Sequence, residues 1–220
     1  MLYLDISSDK VYLSCNDEEL FLERNSIENE LWKILVQRRR KYQFTKAYVL
    51  NGPGGFTNLR VGSLCVNLLN ALVKDQIDLY SVSKIDLYSF AYEREVVERY
   101  GIIYIGQKRN IWLWDFEKKE RIWQFSFDQL NEQRRDASLT RPPTSHSALP
   151  TTEHDRLPNN ETFLDIVYDQ NYYPEFLRQL RQVDCHLVKQ LLREYVEEGK
   201  VQPTKHIKAN YMIDPIIGKG

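Results

Sequence analysis

Two short stretches carry the kinds of residue that handle phosphate. The first is Gly52-Pro53-Gly54-Gly55, set between the apolar run 46–51 and a long apolar segment. Backbone N–H groups at a glycine turn that opens a helix can cradle an anion. A phosphate loop also needs G-x-x-x-x-G-K-[ST], with a lysine for the phosphates and a hydroxyl for magnesium. After Gly55 the chain reads Phe56-Thr57-Asn58, so both groups are missing. A dinucleotide turn needs G-x-G-x-x-G. Gly52 and Gly54 fit it, but Thr57 stands where the third glycine belongs. Two readings stay open: a phosphate site, or a turn that needs positive φ.

The second stretch is Asp5-Ile6-Ser7-Ser8-Asp9. An aspartate at the end of a first strand, followed by a small-residue turn, holds phosphate and metal in actin-like ATPases and sugar kinases. Asp5, Ser7, Ser8 and Asp9 have the right types. Ile6 occupies the bend and no glycine is present, so a hairpin turn with Asx hydrogen bonds explains the stretch equally well. His146, His154, His186 and His206 show no i, i+4 pair and join no Cys or carboxylate cluster, so no metal site is expected. No G-x-S-x-G elbow is present. His186 is expected as a mid-helix packing residue.

These turns need elements to position them. "LYLDI", "KVYLSC" and "ELFLE" read as three strands of an antiparallel meander, with turn chemistry at Ser7–Asp9 and Asn16–Asp17. A helix over 26–42 follows, with Asn25 and Glu28 as a capping box and an apolar stripe at Ile27, Leu31, Ile34 and Leu35. Arg38, Arg39, Arg40 and Lys41 fill its last turn, either as a phosphate-backbone contact or as charges matched to the helix dipole. "KAYVLN" is a strand, and a helix over 57–73 follows the glycine turn. "DLYSVS" is a strand, and Ser83 caps a helix running to Tyr100.

Strand-like runs then recur at Ile102–Ile105, Ile111–Phe116 and Arg121–Phe127. Residues 131–162 are rich in Pro, Ser, Thr and Arg and read as a long mobile loop. A helix from Pro174 to about Glu198, ended by Gly199, precedes an extended tail. The order βββαβαβα of the first half is that of a ribonuclease-H-like lobe. The expected organisation is a complete first lobe over 1–98, a reduced second lobe over 99–203 and a tail over 204–220.

Composition excludes several classes. The chain has 220 residues, which suits one large domain or two small lobes, and its 42% apolar and 28% charged residues are ordinary for a soluble globular protein. A formal net charge of -1 gives no global attraction to nucleic acid. The three cysteines, Cys15, Cys65 and Cys185, are far apart and suit a reducing cytosol. Met1-Leu2-Tyr3-Leu4-Asp5 is not expected to be a signal peptide, and no run approaches a membrane span. A cytoplasmic protein is expected.

"LNGPGGFTNLRVGSLCVNLLNAL" resembles the signature of the TsaB (YeaZ) family, G-P-G-S-F-T-G-L-R-[IV]-G followed by an apolar helix. Gly52, Pro53, Gly54, Phe56, Thr57, Leu59, Arg60, Val61 and Gly62 match; Gly55 and Asn58 depart from it. "LYLDISSD" is similar to the family's opening L-x-[IL]-D-T-S-T, and "YSVSKIDLYS" to its V-S-S-L-x-A-L, with Lys84 and Ile85 as departures. "EEGKVQPTKHIKANY" is similar to its closing segment. The polar Asn67 and Asn70 are unusual for the family's helix. The resemblance covers residues 1–100 well and the remainder thinly.

The resemblance implies a two-lobed, actin-like, ribonuclease-H-related α/β protein. It implies a non-catalytic scaffold for threonylcarbamoyladenosine synthesis at position 37 of tRNA, binding the catalytic paralogue TsaD and, through the pair, the ATPase TsaE. No cofactor is implied, and tRNA is met only through the complex. In this reading Asp5, Ser7, Ser8, Gly52, Gly54 and Gly55 are the remnant of a phosphate site. Leu31, Leu35, Val61, Leu64, Cys65, Leu68 and Leu72 form a ridge for the partner, or for a second copy when the partner is absent. The alternative is a small actin-like kinase using Asp5 and the 52–55 turn.

Overall fold

A computed structural model describes residues 1–23, 25–106, 110–127, 162–169, 171 and 173–211. The expected loop over 131–162 lies outside them, apart from Thr162. So do His146 and His154.

The first sheet holds β1 (Leu2–Asp5), β2 (Val11–Cys15), β3 (Glu18–Leu22), β4 (Lys46–Leu50) and β5 (Asp78–Val82). Its order is β3-β2-β1-β4-β5; β1–β2 and β2–β3 are antiparallel, and β1–β4 and β4–β5 are parallel. Asn16 and Asp17 close the β2–β3 hairpin with φ of 47° and 66°, the backbone that a two-residue turn of this hand requires. Helices α1 (Ile27–Tyr42), α2 (Phe56–Leu72) and α3 (Lys84–Glu93) complete the expected βββαβαβα order.

The second sheet holds β6 (Tyr100–Tyr104), β7 (Asn110–Asp115), β8 (Glu120–Ser126), β9 (Thr162–Leu164) and β10 (Arg181–Gln182). Read as β8-β7-β6-β9-β10, it has the order and strand sense of the first sheet. The second unit therefore repeats all five strands, more than its sequence led us to expect. Between β9 and β10 lies α4 (Glu175–Arg178), of four residues, against seventeen in α2, which lies between β4 and β5. Helix α5 (Cys185–Glu197) follows β10 as α3 follows β5.

Strand alternation divides the core. Leu2, Leu4, Val11, Leu13, Ala47, Val49 and Leu79 face α1 and α2. Tyr3, Tyr12, Tyr48, Leu50 and Val82 point the other way, into a core shared with α3, α5 and the second sheet's Ile103 and Phe163. A third cluster, with Ile102, Tyr104, Leu164 and Leu177, lies on the far side of the second sheet.

Four local expectations are corrected. The Asn25–Glu28 capping box does not form: Ser26 is the N-cap of α1, and its hydroxyl turns back to donate to the Glu23 carbonyl at 3.0 Å. The helix capped by Ser83 ends at Glu93, because Glu95 adopts φ of 59° and turns buried Val97 into the core. The single helix from Pro174 to Glu198 is two. Between them Arg181–Gln182 pair in parallel with Phe163–Leu164, and Asp184 caps α5 by accepting from the N–H groups of His186 and Leu187, each at 2.8 Å. His186 is exposed in the first turn of α5 and is not a packing residue.

Candidate functional site: the glycine turn, the junction of the sheets and the outer face of α2

The turns singled out above meet at the C-terminal ends of β1, β4, β6 and β9. Asp5 is fully buried. Its Oδ1 accepts from the Ser7 N–H and hydroxyl, both at 2.7 Å, and its Oδ2 accepts from the Ser8 hydroxyl at 2.6 Å and the Tyr168 hydroxyl at 3.0 Å. Four donors leave this carboxylate little capacity for an external ligand. Asp9 accepts from the N–H groups of Tyr168 at 3.1 Å and Asp169 at 2.7 Å. Burial pushes the Asp9 carboxyl above its ordinary range, although those N–H groups pull it down. Ile6, the departure at the bend, is fully buried in the first core.

The glycine turn is equally occupied by the chain itself. Gly52 has φ of 86°, and a Cβ there would overlap the carbonyl oxygen of Asn210. A Cβ on Gly54 would overlap the backbone of Ser7, and Gly106, in the loop after β6, lies against the backbone of Gly55. The glycines thus permit close approach of three other segments. Beside the turn, Asn25, Glu28, Gly55, Phe56, Thr57, Asn58 and Gly106 line a cleft of about 530 Å³. Gly55 caps α2 without a side chain, but Glu28 in the lining opposes an anion there.

The segment that covers Gly52 is the C-terminal strap, 204–211. Thr204 N–H donates to the Leu79 carbonyl at 2.9 Å. Asn70 Nδ2 donates to the Lys205 carbonyl at 3.1 Å, while its Oδ1 accepts from the Ile77 N–H at 2.7 Å. Asn67 bonds both backbone groups of Ile207, each at 2.8 Å. Asn51 donates to the Lys208 carbonyl and accepts from the Asn210 N–H. At the end of the strap the Tyr211 ring stacks on Phe56, centroids 5.1 Å apart and planes 19° apart. Asn67 and Asn70, out of place in an apolar helix, are therefore the clamp of the strap. Their i, i+3 spacing was the sequence signal for it.

Of the residues expected on a partner ridge, Leu31 and Leu35 are fully buried and Cys65 is 8% exposed. These three belong to the chain's own core, and that part of the expected surface is corrected. Val61 is half-buried. Leu64, Leu68 and Leu72 are 64%, 44% and 67% exposed, one row at i, i+4 and i+8. Spacing alone did not say which row faced outward; the structure puts the leucines outside. Among the matched motif residues, Thr57 and Arg60 are exposed, Phe56 is 50% exposed, and Leu59 and Gly62 are buried, Gly62 against Ile6. Arg38 and Lys41 of the basic run both pair with Glu18 of β3.

Sequence reasoning missed Lys84 and Asp165. Both are at 0% exposure, with Nζ and Oδ2 2.6 Å apart, and the pair joins the start of α3 to the end of β9. Burial pushes the Asp165 carboxyl up from its ordinary range, against the pull of Lys84 and of the Tyr88 hydroxyl. Among the described residues no group of three His, Cys, Asp or Glu could hold a metal ion, and no helix is long and apolar enough to cross a membrane.

No protein-family model matches the chain, and no curated protein sequence matches it. Several solved structures resemble it, two of them as follows. One is YeaZ from Pseudomonas aeruginosa, with a TM-score of 0.43 and 14% identity over 92% of this chain and 94% of that one. The other is described as an uncharacterized protein with similarity to peptidase YeaZ from Pseudomonas aeruginosa, with a TM-score of 0.47 and 13% identity over 95% of this chain and 98% of that one.

Proposed function

We propose that the chain is a non-catalytic scaffold subunit for N6-threonylcarbamoyladenosine formation at position 37 of tRNA. It docks a TsaD-like catalytic subunit and a TsaE-like ATPase joins the pair, with tRNA met only through the assembly. The two sheets are the two lobes of an actin-like fold. The observation that carries the docking role is the exposed row Leu64, Leu68 and Leu72, which follows directly on the motif 52–62. Three leucines held outward on one helix face leave an apolar surface of the kind that marks a partner site. In the absence of the partner, a second copy covers the same row.

The saturation of Asp5 by four donors argues against the kinase reading, because a phosphate or metal would have to displace them. The proposal is tested by reconstitution with the TsaD-like and TsaE-like subunits of the same cell, tRNA, threonine, bicarbonate, ATP and the enzyme that makes threonylcarbamoyl-adenylate. Modified nucleoside is expected only when both this chain and the TsaD-like subunit are present. Turnover by this chain alone, or equal turnover without it, contradicts the scaffold role. Calorimetry should find weak ATP binding or none to the isolated chain; micromolar binding abolished by Asp5→Ala would favour the kinase.

A further inference from the structure

Lys84 ties three parts of the molecule together. Its backbone N–H donates to the Gly52 carbonyl at 2.7 Å, in the glycine turn. Its ammonium reaches the Ser7 carbonyl at 3.4 Å, in the turn after β1, and Asp165 at 2.6 Å, in the second sheet. A buried ion pair is unfavourable unless the remaining polar capacity of both partners is met. Here the Asp165 carboxylate also accepts from the Tyr88 hydroxyl at 2.6 Å, the Ile166 N–H at 2.8 Å and the Tyr104 N–H at 3.1 Å. The Tyr104 ring lies 6.0 Å from the ammonium.

A carboxylate and a carbonyl oxygen converging on one buried point are the donors that a small hard cation takes. In this chain the positive charge comes from a side chain. We propose that Lys84 is a tethered cation filling a cation-binding position between the two sheets, so that the junction is held closed by the chain itself and not by a bound ion or nucleotide. Asp165 is the anchor and Ser7 the second oxygen donor. The junction is then closed at all times, which gives the outer face of α2 one fixed setting relative to the second sheet.

Chemical rescue tests this. Lys84→Ala leaves Asp165 buried beside a vacated position, and its melting temperature should fall by about 10 °C. Methylammonium chloride should restore it in a concentration-dependent way, as a ligand that binds only the folded state. Tetramethylammonium chloride, of equal ionic strength but without N–H donors, should not. The wild type and the double variant Lys84→Ala/Asp165→Asn should respond equally to the two salts. If Lys84→Ala does not fold unaided, recovery of folded protein on refolding in methylammonium, and not in tetramethylammonium, supports the proposal. An identical response of Lys84→Ala to both salts, or no recovery in either, overturns it. None of these readouts depends on the TsaD-like partner, so their failure is separate from failure of the scaffold reading.

Discussion

The carbonyl oxygen of Asn210 lies directly over Gly52, where any side chain would overlap it. The first glycine of the motif therefore serves the passage of the strap. Gly52→Ala should be destabilising through two effects: the left-handed backbone, about 1–2 kcal/mol, and displacement of the strap. In a chain ending at residue 203 only the first should remain. Urea unfolding of the four proteins measures both, and an equal cost with and without the strap would detach Gly52 from Asn210.

The strap is held by carboxamides. Asn67→Ala and Asn70→Ala should each cost about 1 kcal/mol, the usual net value of such bonds. Hydrogen exchange should locate the effect: the Ile207 amide, which donates to Asn67 Oδ1 at 2.8 Å, should lose protection first. Unchanged protection at Ile207 in Asn67→Ala would count against the clamp.

Leu31 and Leu35 differ from Leu64 and Leu72 only in burial. Leu31→Ala and Leu35→Ala should cost about 2–5 kcal/mol as core truncations. Leu64→Ala and Leu72→Ala should stay within about 0.5 kcal/mol in the isolated chain. Thermal unfolding of the four variants checks the contrast; a large loss in Leu64→Ala would mean that the row is packed within the chain.

Much of this arrangement was legible in the sequence where a period or a turn residue spoke alone. The first meander, Asn16–Asp17, the glycine turn and the order βββαβαβα all carry local signals. Arg181–Gln182 did not: two residues pairing with β9 inside a leucine-rich stretch keep a helical period, and only the capping Asp184 marks the restart. The same limit applied to the site. Lys84 and Asp165 are 81 positions apart, and nothing local to either shows that they pair. Asn67 and Asn70 were visible as anomalies, but their partners lie 140 and 135 positions away in the strap. Leu31 and Leu35 misled because an apolar stripe fits a core and a partner equally well until the neighbours are known.

Asp115 gives a pH dependence with a definite sign. Burial works to raise its carboxyl, but the Arg99 guanidinium, at 2.7–3.2 Å, and the N–H groups of Glu117 and Lys118 outweigh it, holding it below the ordinary 3.8. A depressed carboxyl contributes stability that is present above its unfolded value and lost as pH falls through its folded value. Asp115→Asn should therefore be less stable than the wild type at pH 6, with the gap closing as pH falls below 3.8. Urea unfolding from pH 6 to pH 2 measures it; a gap independent of pH would remove the linkage.

The docking face is the central claim, and Leu68 tests it most directly. At 44% exposure it should accept glutamate without unfolding, which circular dichroism establishes first. Leu68→Glu places a charge in the middle of the leucine row, where burial against a partner would cost several kcal/mol, on the order of a hundredfold or more in affinity. Calorimetric titration against the TsaD-like subunit should find binding in the wild type and none in folded Leu68→Glu. Wild-type affinity in that folded variant would contradict the account and remove the outer face of α2 from the interface.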